Sequence, residues 1–299
     1  MPIKYSMSIN FLKSGGKMIS IGLAGWGDHE ELYKAGTRPQ DKLKEYNKYF
    51  SVVEVDSSYY AIHKESLYRR WVSDTSNNFS FLIKAYQGMT GHTRQNYSNT
   101  EIEAMFQNFI ESINPVLETS KLKAVLFQYP PWFECNRDNV SLLRLTKERM
   151  GDIPVALEFR HQSWFSPEMK EKTLSYMVNE GWIHSICDEP QVFPGSIPTI
   201  LRPTNKDLTI VRFHGRNTSG WTSNGTTNWR EVRYLYRYND DELLEWKENL
   251  MKLEEETDEI CVIFNNNSGG DAASNAFQLT NIFGLEEPQL PPKQIEMFD

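Results

Sequence analysis

Eight short runs rich in valine, isoleucine and phenylalanine recur along the chain, and most are followed by a stretch with helical periodicity. The runs are ISIGLAGW (19–26), SVVEVDSSYY (51–60), FSFLIKAY (79–86), KAVLFQYP (123–130), IPVALEFR (153–160), WIHSICDE (182–189), LTIVRFHGR (208–216) and EICVIFNNN (259–267). Each has the length and composition of a globular strand. Helix-like stretches fall at 39–50, 64–75, 100–119, 138–150, 167–180, 240–257 and 271–284. The clearest is DDELLEWKENLMKLEEE, where Leu243, Leu244, Trp246, Leu250 and Leu253 form an apolar stripe behind an acidic first turn. Pro115 is expected to kink or shorten the third helix. The four prolines of DEPQVFPGSIPTILRPT predict a loop after the sixth strand.

Strands alternating with helices imply βα units around a parallel sheet. Eight such units in roughly 265 residues fit a single-domain (β/α)8 TIM-like barrel, whose usual size is ~250 residues. A doubly wound open sheet is the other arrangement this alternation allows, but GLAGWGDHE stands where its G-x-G-x-x-G turn belongs. The expected plan is a flexible leader over 1–18, the barrel over 19–285 and an extended tail over 286–299.

With 39% hydrophobic and 24% charged residues, the 299-residue chain has the composition of a globular protein. A formal net charge of −8 argues against a surface that coats nucleic acid generally, though not against a basic site within an acidic shell. Cys135, Cys187 and Cys261 are widely spaced and form no C-x-x-C pair. They point to neither a disulfide framework nor a thiolate zinc site, so the expectation is a reduced, cytoplasmic setting. No apolar run approaches the ~20 residues that span a bilayer, and no membrane association is expected. The opening MPIKYSMSINFLKSGGK has neither the apolar core nor the cleavage site of a signal peptide.

Side chains of a strand alternate between its two faces. In VALEFR, Val155, Leu157 and Phe159 belong to the helix-facing side, which turns Glu158 and Arg160 toward the barrel axis near the carboxyl end. Enzymes of this fold place their chemistry there. The same alternation groups Glu54, Asp56 and Ser58 on the second strand, Lys84 with Leu82, and Gln128 with Leu126. It groups His184 with Asp188, Arg212 with His214 and Arg216, and sets Asn265 beyond Ile263. Any one of these has a bland reading: a barrel-end ion pair for Glu158 or Arg160, a satisfied core histidine for His184, packing for Cys187. Seven strands aiming polar groups at one end is harder to explain blandly, because buried charge is costly unless paired.

The ordered blocks AGWGDHEELY, VEVDSSYY, RRW, FLIKAY, VLFQYPPWF, ALEFRHQSWF, CDEP, VRFHGRN and IFNNNSGGDAASNA resemble the DUF72, or YecE-like, family from about Ile19 to Gly284. The resemblance implies a TIM barrel and no particular activity, since the family's biochemical function is not established. Carried over position by position, the family pattern falls on Glu54, Tyr59, Tyr60, Lys84, Gln128, Pro130, Glu158, Arg160, His161, Trp164, Asp188, Arg212, His214, Asn265 and Asn275. Asp56 stands where the pattern has an amide and Ser58 where it has a threonine, and the first motif diverges after Trp26.

Lys84, Arg160, His161, Arg212 and His214 would give the pocket a cationic wall for an anionic, phosphate-containing substrate, with a nucleic-acid-derived one among the candidates. Glu54, Glu158 and Asp188 supply carboxylates for acid–base work. The expected enzyme is a hydrolase or lyase in which Glu158 or His214 is the base or acid, with Arg160 and Arg212 clamping the anion. Lys84 offsets developing charge, with Schiff-base formation as its minor alternative. Gln128, Asn265, Tyr60, Trp26, Trp164 and Trp221 complete the expected binding surface. A divalent metal would recruit Glu54, Glu158, Asp188 and His214, although no H-x-H or H-E-x-x-H spacing favours one. A binding protein without turnover is the alternative that fold leaves open.

The tail ends PPKQIEMFD, and Gln294, Met297 and Phe298 resemble the anchors of short Gln-Leu-x-Leu-Phe peptides that dock on bacterial sliding clamps. The competing reading folds this tail back on its own barrel; if it docks, the barrel's substrate is expected to be DNA. In a pull-down, purified sliding clamp is expected to retain the full chain and not its Phe298→Ala variant. Equal retention of both removes the docking reading.

Overall fold

The computed structural model describes residues 12–14, 17–192, 195–222 and 232–284. Strand β1 (Leu12–Ser14) pairs antiparallel with β2 (Lys17–Ala24). Seven parallel strands follow: β3 (Val52–Val55), β4 (Ser80–Lys84), β5 (Leu122–Gln128), β6 (Val155–Glu158), β7 (Ile183–Asp188), β8 (Thr209–Phe213) and β9 (Glu259–Phe264). Because β9 pairs back onto β2, from Met18 with Glu259 to Leu23 with Phe264, the β2–β9 sheet closes into the eight-stranded (β/α)8 barrel. All eight runs read from the sequence are strands.

Helices alternate with the strands. Those with described bounds are α1 (Lys42–Tyr46), α2 (Ser57–Tyr60), α3 (Glu65–Ser73), α4 (Asn99–Glu118), α5 (Arg137–Met150), α6 (Lys170–Asn179), α7 (Thr218–Thr222), α8 (Asp240–Glu254) and α9 (Asp271–Ile282). Capping explains where two of them start. Ser98 and Glu101 exchange side-chain and backbone hydrogen bonds at the head of α4, and Asn239 and Glu242 do so at the head of α8. Pro115 lies inside α4, which runs on to Glu118, so the proline forfeits one backbone bond without ending the helix. In α8, Leu243, Trp246, Leu250 and Leu253 are buried as expected, while Leu244 is 48% exposed. It sits one residue, about 100°, off the stripe. The proline-rich stretch after β7 carries no helix over its described residues.

Alternation along the strands divides the core into two layers. Val53, Val55, Phe81, Ile83, Val125, Phe127, Val155, Leu157, Val211, Phe213, Val262 and Phe264 meet the helices. Inside the barrel lie Val52, Leu82, Ala124, Leu126, Ala156, Ile183, Ile210, Cys261 and Ile263. Above this apolar filling the inward positions become polar. On β2 the chain stays small, because a Cβ on Gly22 would lie 2.1 Å from the Val52 carbonyl oxygen of the neighbouring strand. Gly22→Ala is therefore expected to destabilise the fold by about 2 kcal/mol or more, read from urea denaturation. An unchanged midpoint would contradict this account of the β2–β3 contact.

Candidate functional site

The polar layer is built around Arg212, the inward residue of β8. Its guanidinium gives Nη2 and Nε to Glu54 Oε1 and Oε2 on β3, at 2.6 and 2.8 Å. Its Nη1 donates to Glu158 Oε2 on β6 at 2.7 Å. All three side chains are buried. Glu158 Oε2 also accepts from Ser185 at 3.1 Å, and Oε1 accepts from Gln128 and from Arg160 Nη1, the latter at 3.3 Å. Next to this pair lies His214, with Nε2 3.3 Å from Arg212 Nη1 and 3.6 Å from Glu158 Oε1. Asn265 Nδ2 donates to Nδ1 at 3.0 Å, which leaves the imidazole proton on Nε2, facing Glu158.

These contacts set the protonation states. Burial alone would raise the Glu158 carboxyl, but Arg212, His214 and Arg160 outweigh it and hold the group well below the usual carboxylate range. Burial pushes Glu54 up to about 7 against the pull of Arg212, with Asp56 adding to the rise. Burial and then Arg212 push His214 down to about 3, so it is neutral.

Above this floor stands a second set of groups, of which Glu189 and Trp221 are buried while Lys84 and Asp56 are partly accessible. Arg160 Nη1 bridges Glu158 and Glu189, with Glu189 Oε2 at 2.8 Å. Glu189 Oε1 accepts the Ile197 amide at 2.7 Å, yet burial pushes its carboxyl up to about 7 despite Arg160. The guanidinium of Arg160 is 5.0 Å from the centre of the Trp221 ring, and that of Arg233 is 3.8 Å from it. On the far side Lys84 Nζ lies 3.4 Å from Asp56 Oδ1 and 5.0 Å from the Tyr59 ring centre. Burial disfavours the Lys84 charge, but Asp56, Glu54 and Tyr234 together outweigh it and the pKa stands above its ordinary value. Lys84 is thus an ammonium, not the free amine that a Schiff base requires.

The model for the family described as "protein of unknown function DUF72" matches residues 20–296. The chain belongs to the DUF72 family. UPF0759 protein YunF of Bacillus subtilis is 52% identical over 282 residues, covering 94% of this chain and 100% of YunF. A crystal structure of a DUF72 protein from Enterococcus faecalis superposes with TM-score 0.83 at 37% identity, covering 93% of this chain and 100% of that one. One from Thermotoga maritima gives TM-score 0.75 at 28% identity, covering 89% and 99%.

Within this DUF72 barrel Glu54, Gln128, Glu158, Arg160, Arg212, His214 and Asn265 do converge, with Lys84 at the rim. Asp188 does not. On β7 Ile183 packs inside the barrel and Ser185 reaches Glu158, so His184, Ile186 and Asp188 face the helices. Asp188 meets Arg216 Nε at 3.0 and 3.1 Å, and Arg216 turns toward Glu242 and Glu245 of α8. The carboxylate that this side of the barrel brings to Arg160 is the buried Glu189. The run IHSICDE has apolar and polar residues on both parities, so alternation alone did not choose; Ile183 as the inward anchor would have pointed to Ser185, Cys187 and Glu189.

Three aromatic or imidazole groups also lie elsewhere. Trp164 is buried between Phe159 and Phe133, at ring distances of 4.1 and 5.7 Å, and donates its indole N–H to the Phe133 carbonyl at 2.7 Å. Trp26 packs edge-on against Trp71 at 5.0 Å. His161 caps the 3-10 turn Gln162–Phe165 and bonds Ser163 at 2.8 Å. It lines a cavity of about 590 Å³ beside the mouth, together with Phe165, Gln191 and Val192. Tyr60 is exposed at the rim. Gln294, Met297 and Phe298 lie outside the described residues.

With Asp188 turned away, the quartet that a metal would have recruited does not assemble. Glu158, Cys187 and His214 do bring three ligand atoms within 4.8 Å of one another. The donor set nevertheless fits a divalent cation poorly. Both Glu158 oxygens are taken by guanidinium, amide and hydroxyl donors, and His214 Nε2 abuts Arg212. Burial raises the Cys187 thiol well above its ordinary value, against the thiolate a metal needs.

An unfolded histidine titrates near 6.5 whereas folded His214 titrates at about 3, so its stabilising contribution is complete above about pH 6.5 and is lost as pH falls toward 3. Glu189, raised to about 7, acts with the opposite sign: it favours the folded state below the ordinary carboxylate range and loses that contribution as pH rises through about 7. Imidazole ¹⁵N NMR is expected to find His214 as the Nε2–H tautomer from pH 8 to 5. A titration near 6.5 would overturn the assigned contacts.

Proposed function

We propose that this barrel is an acid–base enzyme of the hydrolase or lyase class, acting on an anionic, phosphate-containing substrate at the carboxyl-end mouth. The observation that carries this reading is the pair of carboxyls sharing Arg160 Nη1, pushed apart by their surroundings. Glu158 is held well below the usual range while Glu189 is raised to about 7. Neighbouring carboxyls tuned in opposite directions are the usual mark of separate acid and base or anchor roles.

The contacts redistribute the roles. Arg212 has its fork closed by Glu54 and Glu158 and serves as the anchor of the floor, not as an anion clamp. His214 is neutral with both ring nitrogens facing partners, which suits positioning of Glu158. Anion contact falls to Arg160 and Lys84. In hydrolysis of a phosphate ester, water adds to the phosphorus as the bond to the leaving oxygen breaks; Glu189, protonated in part at neutral pH, gives that oxygen its proton, and the proton shed by the water passes to bulk solvent. The resulting carboxylate is received by Arg160 and the Ile197 amide.

The test is a screen of phosphomonoesters, phosphodiesters and sugar phosphates with the wild-type chain, Glu189→Gln, Arg160→Ala and Glu158→Gln, each checked for folding by circular dichroism. Glu189→Gln is expected to lower kcat by about 10²–10⁴. The wild type is expected to lose activity as pH rises through about 7, where Glu189 gives up its proton. Turnover unchanged in Glu189→Gln and Arg160→Ala rejects the site. Ligand stabilisation of the wild type without conversion selects the non-catalytic binding reading.

A further inference from the structure

Among the described residues only two tryptophan or tyrosine side chains are broadly exposed, Tyr60 at 63% and Trp132 at 45%, and both stand on the same stretch of rim. Tyr60 ends α2, just after β3, and Trp132 follows β5. A connected row of rings joins them. Tyr60 meets Tyr59 at 5.1 Å, Tyr59 meets His92 at 5.2 Å, and His92 meets Trp132 at 6.0 Å, all near-perpendicular. Arg94 lies over Trp132 at 3.9 Å, and Lys84 lies over Tyr59 at 5.0 Å. His92 is fixed by Thr90 at 2.7 Å, and burial followed by Lys84 and Arg160 pushes it down to about 4. The row therefore reaches the cations of the mouth while contributing neutral rings.

Single exposed aromatics need no explanation, but a linked row of four beside the Lys84 and Arg160 side chains does. Rings of this kind stack a flat π-system, and the adjoining ammonium and guanidinium groups select one that carries negative charge. We infer that this shelf receives the base of a nucleoside phosphate whose phosphate group lies against Lys84 and Arg160. The inference rests on the anionic-substrate reading above and adds the class of substrate.

Calorimetric titration of the full chain with adenosine monophosphate, ribose 5-phosphate, inorganic phosphate and adenosine tests it. Adenosine monophosphate is expected to bind at least about tenfold more tightly than ribose 5-phosphate. In the Tyr60→Ala, Trp132→Ala double variant that advantage is expected to vanish, with ribose 5-phosphate affinity and thermal midpoint retained. Lys84→Met is expected to weaken both phosphates and leave adenosine unaffected. Equal affinity of the wild type for the two phosphates, or an advantage that survives the double variant, overturns the shelf while leaving an anion site in place. If no phosphate binds at all, the anionic-substrate reading falls with it.

Discussion

The ion pair that Arg212 makes with Glu54 and Glu158 is the constraint on which the rest of the mouth depends. Removing a guanidinium and two carboxylates from water costs several kcal/mol per ion, and only close, multiply bonded geometry offsets that. The cost is met by a bidentate fork on one side and a 2.7 Å bond on the other. The partners are remote in sequence, with Arg212 158 residues from Glu54 and 54 from Glu158. The network therefore exists only once β3, β6 and β8 share one closed barrel, and an alternative strand order would bury the same charges unpaired. Such a device makes the fold unique more than it makes it stable.

Because the floor is saturated, it limits what the mouth can do. Glu158 accepts from Arg212, Ser185, Gln128 and Arg160, so it has little freedom to take a proton from a substrate. On the proposed reading the chemistry falls to the layer above, where Arg160, Glu189, Lys84 and Asp56 are held from below or beside by that floor. The expected cationic wall is correspondingly muted. Its arginines and lysine each face a carboxylate, so an anion enters by competing with Asp56 or Glu189 rather than by filling an open positive cavity.

The alternation of side chains made much of this legible in advance, and its failures have physical causes. It worked where a strand had one plainly apolar face, as with Val155 and Leu157 against Ala156 and Glu158. It failed on β7, where both faces mix isoleucine with polar residues. It also failed just past strand ends, where the backbone leaves the extended conformation and parity lapses. Ser58, already inside α2, donates to the Val55 and Lys84 carbonyls instead of facing the mouth, and Gly215 at φ +83° turns Arg216 away from the axis occupied by Arg212 and His214. A Cβ at Gly215 would approach the Tyr236 side chain at 2.5 Å, so that turn is reserved for glycine. Trp26 and Trp164 belong to the family's recognisable motifs, yet their rings pack against other rings. A recurring residue type marks a position the fold requires as readily as one the chemistry requires.

The sharing of Arg160 has a consequence for the proposed acid. Burial is the main cause of the high Glu189 pKa, and Arg160 is the chief influence pulling it back down. An anion that draws the Arg160 guanidinium toward itself weakens that pull, so Glu189 holds its proton more firmly when substrate is bound than when the mouth is empty. Glu158 shifts less, because Arg212 and His214 precede Arg160 among the groups holding it down. On the proposed reading, substrate charge itself widens the separation between the two carboxyls, and one guanidinium both recognises the anion and readies the proton it will need.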